Sequence, residues 1–191
     1  GVDFVKCDDI AREYPHCRRE IEVISDACRA CRRDIVLSLS PGPAPLEQAE
    51  HLKKYANMWR ITDDFWDEWR LLKGMFERAE KWCVHAAPGH WPDADMLPVG
   101  ALRQCYDPNG WTNFTQAEQR TMMTLWCMMR SPLMMGGELT KNDDFTLKLL
   151  TNRDVLAIEK TSACAHPLWT TEDESAWIAP RRDGKGLYAA L

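Results

Sequence analysis

The sequence lacks any apolar run that approaches the roughly 20 residues needed to span a bilayer, so we expect no membrane partner. It also lacks a basic excess, because its formal net charge is −5. A nucleic-acid partner usually needs a basic face, so that class is disfavoured as well. No internal repeat, low-complexity tract or signal peptide is visible. With 45% hydrophobic and 28% charged residues, the composition is that of a globular chain.

Metal-binding motifs are also scarce. The chain has 5 His, no H-x-H or H-E-x-x-H motif, and only His90 beside a candidate strand end. The Cys28-x-x-Cys31 pair has no second pair at zinc-site spacing. We therefore expect no metal at this pair and free, buried thiols among the 8 Cys. Most of the 9 Trp are expected in the core.

Short apolar runs alternate with longer amphipathic stretches, which predicts repeated βα units and a parallel sheet or barrel. The predicted strands are Val2 to Val5, Ile35 to Leu39, Asn57 to Ile61 and Pro132 to Met135. The predicted helices are Pro15 to Arg32, Leu46 to Tyr55, Phe65 to Trp82, Phe145 to Leu150, and one that runs to about Met129 from a capping box of Thr115 and Glu118. The stretch Gly89 to Leu97 is interpreted as a tight polar segment, and Val155 to Ile158 as a short apolar one.

The character of the sequence changes after Cys164. Ala176 to Ala179 and Leu187 to Leu191 flank an Asp-Gly turn, which predicts an antiparallel hairpin. We interpret it as the beginning of a second, all-β domain. Four or five βα units are too few to close an eight-stranded barrel, so we expect a fragment that lacks the upstream units.

Acidic residues follow three successive candidate strands or turns. In parallel βα folds such strand ends carry functional side chains, and clustered carboxylates serve glycoside hydrolysis or metal-assisted hydrolysis. The scarcity of His favours the sugar chemistry, while a metal hydrolase would need convergence of Asp8, Asp93, Asp95 and His90. The acidic residues concerned are Asp8, Asp9, Asp63, Asp64, Asp93 and Asp95.

Two cations precede the candidate catalytic acids. Lys6 lies two residues before Asp8, so both side chains point to the same side of a strand. A cation there can keep Asp8 ionised as a nucleophile. Arg60 is placed similarly before Asp64, which as a general acid needs a less solvated or more anionic setting, supplied in part by Asp63.

Six segments, taken together and in order, resemble glycoside hydrolase family 27, the α-galactosidase or melibiase family. They cover most of the chain, and the W-R-x-x-x-D-x-x-D-x-W and W-x-D-x-D-M-L elements are the most specific. The segments are Gly1 to Asp9, Ile35 to Ser40, Asn57 to Trp69, Gly89 to Gly100, Ser131 to Leu139 and Leu150 to Ile158.

The resemblance implies an α/β fold: a (β/α)8 barrel, present here from about strand 4 to strand 8, over residues 1–161, followed by the start of an antiparallel β-sandwich domain over residues 162–191. It implies a retaining, double-displacement mechanism without cofactor on an oligosaccharide or glycoconjugate. Asp8 would be the nucleophile and Asp64 the acid/base, with Lys6, Arg60 and Asp95 binding or positioning the sugar.

Specificity stays open at Ser40, also a candidate substrate-binding residue. Many α-galactosidases have Glu there, whereas N-acetylgalactosaminidases have Ser, and here Pro41-Gly42-Pro43 follows. Terminal α-D-galactosyl hydrolysis is the leading prediction. The alternatives are an α-N-acetylgalactosaminidase, a β-L-arabinopyranosidase, an isomaltose-releasing enzyme, or an inactive or sugar-binding remnant.

Upstream sugar-gripping residues of the family are not matched, so we expect the chain alone to be inactive. The oligomeric state and compartment stay open, although the resemblance slightly favours an extracellular or periplasmic location.

Overall fold

The computed structural model describes residues 1–191 and contains two sheets. The strands are β1 (Phe4–Cys7), β2 (Val36–Leu39), β3 (Met58–Arg60), β4 (Trp91–Asp93), β5 (His166–Thr170), β6 (Ser175–Pro180) and β7 (Leu187–Ala190). The helices are α1 (Tyr14–Ala30), α2 (Ala49–Tyr55), α3 (Trp69–Trp82), α4 (Gln116–Met129), α5 (Asp144–Leu150) and α6 (Arg153–Thr161). No helix is both long and apolar enough to cross a bilayer.

The first sheet is parallel and has the strand order β1-β2-β3-β4. Its register pairs Lys6 with Ser38 and Arg60 with Asp93. Helices return the chain between successive strands, so all four carboxyl ends lie at one edge of the sheet. The prediction of an α/β fold with a parallel sheet is confirmed.

The predicted strand at Pro132 to Met135 is wrong as a full strand. The segment makes one parallel bridge, between Leu97 and Met135, supported by hydrogen bonds from Leu97 N to Met134 O at 2.7 Å and from Gly136 N to Leu97 O at 3.0 Å. Proline at 132 has no N–H to give a ladder, which limits the pairing.

The start of α3 differs from the prediction because of a tertiary contact, and two other segments belong to regular elements that were not predicted. Helix α3 begins at Trp69 rather than Phe65, because the Phe65 N–H donates to Asp95 instead of joining a helix. The polar stretch around Gly89 to Leu97 contains β4, whose three residues include a proline. The Val155 to Ile158 segment lies inside α6. The capping box of Thr115 and Glu118 at α4 is confirmed.

The core lies between the parallel sheet and its helices. The Phe65 and Trp126 rings are 4.9 Å apart, and those of Trp59 and Trp82 are 6.0 Å apart. The expectation that most Trp are core residues is wrong, since only Trp59, Trp82, Trp126 and Trp177 are buried. Four others are exposed because they lie on connecting segments, at the start of α3 or on an edge strand: Trp66, Trp69, Trp111 and Trp169.

The second sheet is antiparallel with the order β5-β6-β7, which confirms the predicted hairpin and adds β5. It packs on the helices through Trp177, whose ring lies 6.5 Å from that of Phe76. The boundary at residues 161 and 162 stays a prediction. All eight cysteines are free thiols, but only Cys83 and Cys127 are buried, so the expectation of generally buried thiols is wrong.

Candidate active site

Asp8 lies just beyond the carboxyl end of β1 and is exposed. The Ser40 hydroxyl donates to its Oδ1 at 2.8 Å. This hydrogen bond is the main reason why the pKa of the Asp8 carboxyl is lowered, against a smaller opposing effect of burial. The Asp9 backbone N–H and the charges of Lys6 and Arg60 lower it further. Asp8 is therefore held as a carboxylate, the form that a nucleophile needs.

Ser40 reaches Asp8 because the β1 and β2 ends are joined by backbone hydrogen bonds. Ser40 N donates to Cys7 O at 2.9 Å, and Ile10 N donates to Ser40 O at 3.1 Å. The residue is buried, so its hydroxyl has a fixed direction. In this structure that hydroxyl is directed to the Asp8 carboxylate.

Arg60 ends β3 and places a buried guanidinium at the centre of the site. Its Nη2 donates to Asp64 Oδ1 at 2.9 Å, and its Nη1 donates to Asp95 Oδ1 at 2.7 Å. Its side chain is 3% exposed, against 71% for Asp64 and 11% for Asp95. A charge buried to this extent requires such partners, so Arg60 is fixed between the two carboxylates.

Asp95 orients the segment that carries Asp64. Its Oδ2 accepts from Phe65 N at 2.8 Å, while its Oδ1 accepts from Arg60. The Asp95 backbone has a φ of 77°, in the left-handed region that non-glycine residues seldom adopt. The two hydrogen bonds hold this conformation and fix Asp64 from both sides.

Asp63 and Asp64 have different partners although they are adjacent. Asp63 Oδ1 accepts from Asp64 N at 2.9 Å, and its Oδ2 lies 3.5 Å from Arg12. Asp63 thus stabilises the turn and pairs outward, whereas Asp64 bonds to Arg60 and faces solvent. The idea that Asp63 supplies an anionic setting to the Asp64 carboxyl has no support in these hydrogen bonds.

Asp93, at the end of β4, is a residue that the sequence analysis named among the acidic strand ends and for the metal alternative, but not among the six predicted site residues. It is buried, and its Oδ1 accepts from Asp95 N at 2.9 Å. Burial raises its pKa to about 6, and the charges of Arg60 and Lys6 oppose that rise. Asp93 pairs with Arg60 in the register of β3 and β4. The sequence analysis did not anticipate this pairing because it did not predict β4.

The convergence needed by a metal hydrolase is not present. His90 precedes β4, whereas Asp93 ends it, so these two lie at opposite ends of the strand. No group of three or more His, Cys, Asp or Glu side chains is arranged to hold a metal ion.

All six predicted site residues, by contrast, lie at the carboxyl edge of the parallel sheet or on the segments that follow it: Lys6, Asp8, Ser40, Arg60, Asp64 and Asp95. Their hydrogen bonds form two groups. Ser40 holds Asp8, and Arg60 joins Asp64 to Asp95. The Arg60 charge also acts on Asp8, so the two groups belong to one electrostatic site. The arrangement offers one ionised carboxylate and a second, solvent-facing one.

A cleft of about 830 Å³ lies elsewhere, between α3, α4 and the antiparallel sheet. Trp69, Trp169 and Trp177 contribute to its walls, and none of the six predicted residues does. It lacks a paired-carboxylate arrangement bonded to a cation, so its size does not make it the centre of chemistry.

Known proteins match nearly the whole chain. A family profile described as "Alpha galactosidase A" matches residues 1–161. Alpha-galactosidase 2 of Arabidopsis thaliana is 29% identical over 182 residues, which cover 94% of this chain and 43% of that protein. The crystal structure of a family 27 β-L-arabinopyranosidase from Geobacillus stearothermophilus is 50% identical, with a TM-score of 0.90, covering 96% of this chain and 44% of that one.

A proposed α-N-acetylgalactosaminidase from Bacillus halodurans is 48% identical, with a TM-score of 0.76, covering 96% of this chain and 43% of that one. The chain thus spans less than half the length of each of these relatives.

Proposed function

Since the chain belongs to glycoside hydrolase family 27, the α-galactosidase or melibiase family, we propose that it carries both catalytic carboxylates of a retaining O-glycosidase. Its relatives are glycoside hydrolases, but they are more than twice as long. The proposed activity is therefore that of the whole protein that contains this chain.

The proposed architecture is the portion of a (β/α)8 barrel from about strand 4 to strand 8. Strands β1 to β4 would be the first four of these, and the segment bridged at Met135 would be the last. Residues 162–191 would begin an antiparallel β-sandwich domain. The order of the parallel strands and the antiparallel β5-β6-β7 sheet support this proposal.

In the first chemical step, an Asp8 oxygen attacks the anomeric carbon while Asp64, in its protonated form, gives its proton to the departing glycosidic oxygen. A covalent glycosyl-Asp8 ester results. In the second step Asp64 takes a proton from water, the water oxygen attacks the anomeric carbon, and the Asp8–sugar bond breaks. Two inversions give net retention, and no cofactor takes part.

The observation that carries this proposal is the placement of Arg60. It bonds to Asp64 at 2.9 Å and ends β3, which pairs with β2. Ser40, just after β2, bonds to Asp8 at 2.8 Å, so the two acids lie at the same edge of the sheet. Ser40 and Lys6 keep Asp8 ionised. Asp64 faces solvent, so a glycosidic oxygen of a bound sugar can reach its carboxyl group, as the first step requires.

Roles in sugar binding are proposed for Lys6, Arg60, Ser40 and Asp95. Lys6 is exposed beside Asp8 and is the best placed to donate to sugar hydroxyls. Arg60, Ser40 and Asp95 already bond to one another or to the two acids. We therefore propose that these three act mainly by positioning Asp8 and Asp64.

The substrate proposed first is a terminal α-D-galactosyl residue of an oligosaccharide or glycoconjugate. A second candidate, the β-L-arabinopyranosyl residue, is favoured by the 50% identity with the Geobacillus enzyme, against 29% with the Arabidopsis α-galactosidase. The two sugars share their ring configuration and differ only in the hydroxymethyl group, so one pair of carboxylates can serve either.

A panel of aryl glycosides tests the function. The complete protein, with this chain alone alongside, is assayed on α-galactoside, β-L-arabinopyranoside, α-N-acetylgalactosaminide and α-glucoside. We expect turnover of one of the first two with retention of configuration. A folded complete protein that is inactive on all four would favour a sugar-binding remnant instead.

The assignment of the acid/base is tested by a matched pair of neighbouring variants. Asp64→Asn should lower kcat/KM by about 10²–10⁴-fold, and the loss should be smaller for substrates with a good leaving group. Asp63→Asn should leave the rate nearly unchanged, because Asp63 pairs outward with Arg12. The reverse ranking would place the acid at Asp63.

A further inference from the structure

Trp66 is a large exposed aromatic residue beside the proposed acid/base. Along the segment that begins at Asp64, burial alternates: Asp64 is exposed, Phe65 buried, Trp66 exposed and Asp67 buried. Two residues span at most about 7 Å of chain, so the Cα atoms of Asp64 and Trp66 are close together. Both side chains are exposed, so the Trp66 indole is an exposed aromatic surface in the immediate neighbourhood of the Asp64 carboxyl.

The ring of Trp66 is held by an arginine from a distant loop. The Arg103 guanidinium carbon lies 5.3 Å from the centre of the Trp66 ring. The same guanidinium pairs bidentately with Asp67, whose side chain is fully buried. Asp67 also accepts from Asn113 N at 2.5 Å. The aromatic surface is thus fixed before any ligand arrives, which lowers the entropy cost of binding.

The loop that presents Arg103 is itself closed by short-range contacts. Asp107 N donates to Arg103 O at 2.8 Å, and Leu102 N donates to Gly110 O at 3.1 Å. A Cβ at Gly110 would lie 2.2 Å from Leu102 O, so only glycine permits this closure. Arg103 itself has a φ of 61°. This much local organisation exceeds what a solvated surface loop needs.

We propose that Trp66 and Arg103 form the leaving-group subsite, which binds a neutral sugar as the aglycone. This inference rests on the proposed function. The general acid must contact the glycosidic oxygen, so the departing group has to lie beside Asp64, where Trp66 is exposed. The apolar face of a pyranose packs on an aromatic ring, and the edge of Arg103 can donate to its hydroxyls.

The charge balance selects the class of leaving group. The Arg103 charge is neutralised by the buried Asp67 carboxylate, so the subsite offers no excess positive charge for an acidic group. The Arg103 guanidinium lies over the indole and adds hydrogen-bond donors to the aromatic surface, which suits a hydroxyl-rich ring better than an alkyl chain.

The test compares two substrates that share whichever glycone the complete protein hydrolyses. One has glucose as leaving group, and the other has fluoride, which cannot contact Trp66. We expect Trp66→Ala to lower kcat/KM for the disaccharide about tenfold and to leave the fluoride within twofold. Trp66→Phe, which keeps a flat ring, should retain most of the activity on the disaccharide.

The matched control is Trp69→Ala, since Trp69 is also exposed, three residues further on, but lines the distant cleft. It should leave both substrates unchanged. Equal losses of both substrates in Trp66→Ala, or no loss of either, would overturn the subsite while leaving the glycosidase function intact. A folded wild-type protein that hydrolyses none of the four aryl glycosides would overturn the function, and the subsite with it.

Discussion

The carboxyl edge of the parallel sheet and the cleft beside the antiparallel sheet differ in what they offer a ligand. At the edge, Ser40 bonds to Asp8, and one buried guanidinium joins Asp64 to Asp95. The cleft has about 830 Å³ and several Trp side chains, but its charged residues lie on the surface. A candidate reactive site is therefore better recognised by charged groups that pair under partial burial, whereas a large cavity volume by itself marks only incomplete packing.

The largest expected effect concerns the nucleophile. Asp8→Asn in the complete protein should lower kcat/KM by at least about 10⁴-fold, as is typical when a nucleophile or its direct partner is removed. Folding should be unaffected, because Asn can still accept from Ser40. Steady-state kinetics and circular dichroism check both points.

The control for Asp8 comes from the other region of the molecule. Asp183→Asn changes an equally exposed carboxylate in the β6–β7 hairpin and should leave turnover unchanged. If Asp8→Asn kept full activity, or if both variants lost it, the contrast between the two regions would disappear.

The second largest effect concerns stability. Asp95→Ala leaves the buried Arg60 charge without one of its two partners, and breaking a buried pair in this way costs about 3–5 kcal/mol. Urea denaturation measures the loss of unfolding free energy. The exposed Arg181–Asp183 pair provides the comparison, since Asp183→Ala should cause a much smaller loss. Equal losses in the two variants would mean that Arg60 is not held as described.

The third effect is a difference in pH dependence. Burial raises the pKa of Asp93 to about 6, above the ordinary value of about 3.9. The folded state therefore binds this proton more tightly than the unfolded chain. The resulting stability is complete below about pH 4 and is lost as the pH rises through about 6. Asp183 behaves oppositely, because its hydrogen bond from Arg181 lowers its pKa to about 2.

Asp93→Asn should remove this loss, because the amide of Asn does not titrate. The Asn oxygen can still accept from Asp95 N, so the local structure is kept. Wild type should lose unfolding free energy between pH 5 and pH 8, and the variant should not. The difference between these two changes should be on the order of 2 kcal/mol. Urea denaturation at the two pH values measures it. An unchanged pH dependence in the variant would mean that Asp93 is not a buried titrating group.

The smallest effect is expected in the cleft. Trp169→Ala removes an exposed ring from its wall and should change kcat/KM by less than twofold on any substrate, because the residue lies outside the proposed site. A loss similar to that of Trp66→Ala would show that the cleft also takes part in substrate binding.

Local patterns predicted much of the fold. The period-2 strands β1 to β3, the capping box of α4 and the Asp-Gly hairpin all depend on near neighbours, and they were confirmed. Strand β4 was missed because three residues with a central proline carry no strand signal. Strand β5 was missed for a similar reason, since Pro167 lies within it. The start of α3 was misplaced because a long-range hydrogen bond to Asp95 competes with helix formation.

Less of the candidate site follows from local patterns. The spacing of Lys6 and Asp8 predicts that they face one side, and both are exposed at the carboxyl end of β1. The hydrogen bonds from Ser40 to Asp8 and from Arg60 to Asp95 join residues 32 and 35 positions apart, which no local pattern reports. The raised pKa of Asp93 depends on burial, and burial at this position follows from β4.

The most direct test of the account is to trap the covalent intermediate. The complete protein is incubated with a 2-deoxy-2-fluoro glycosyl fluoride of the glycone that it hydrolyses, digested, and analysed by peptide mass spectrometry. If Asp8 is the nucleophile, we expect one added sugar on the peptide that contains Asp8, and none in Asp8→Asn. A sugar attached to another carboxylate, or rapid turnover that inverts configuration and leaves no adduct, would contradict the assignment of Asp8 as nucleophile.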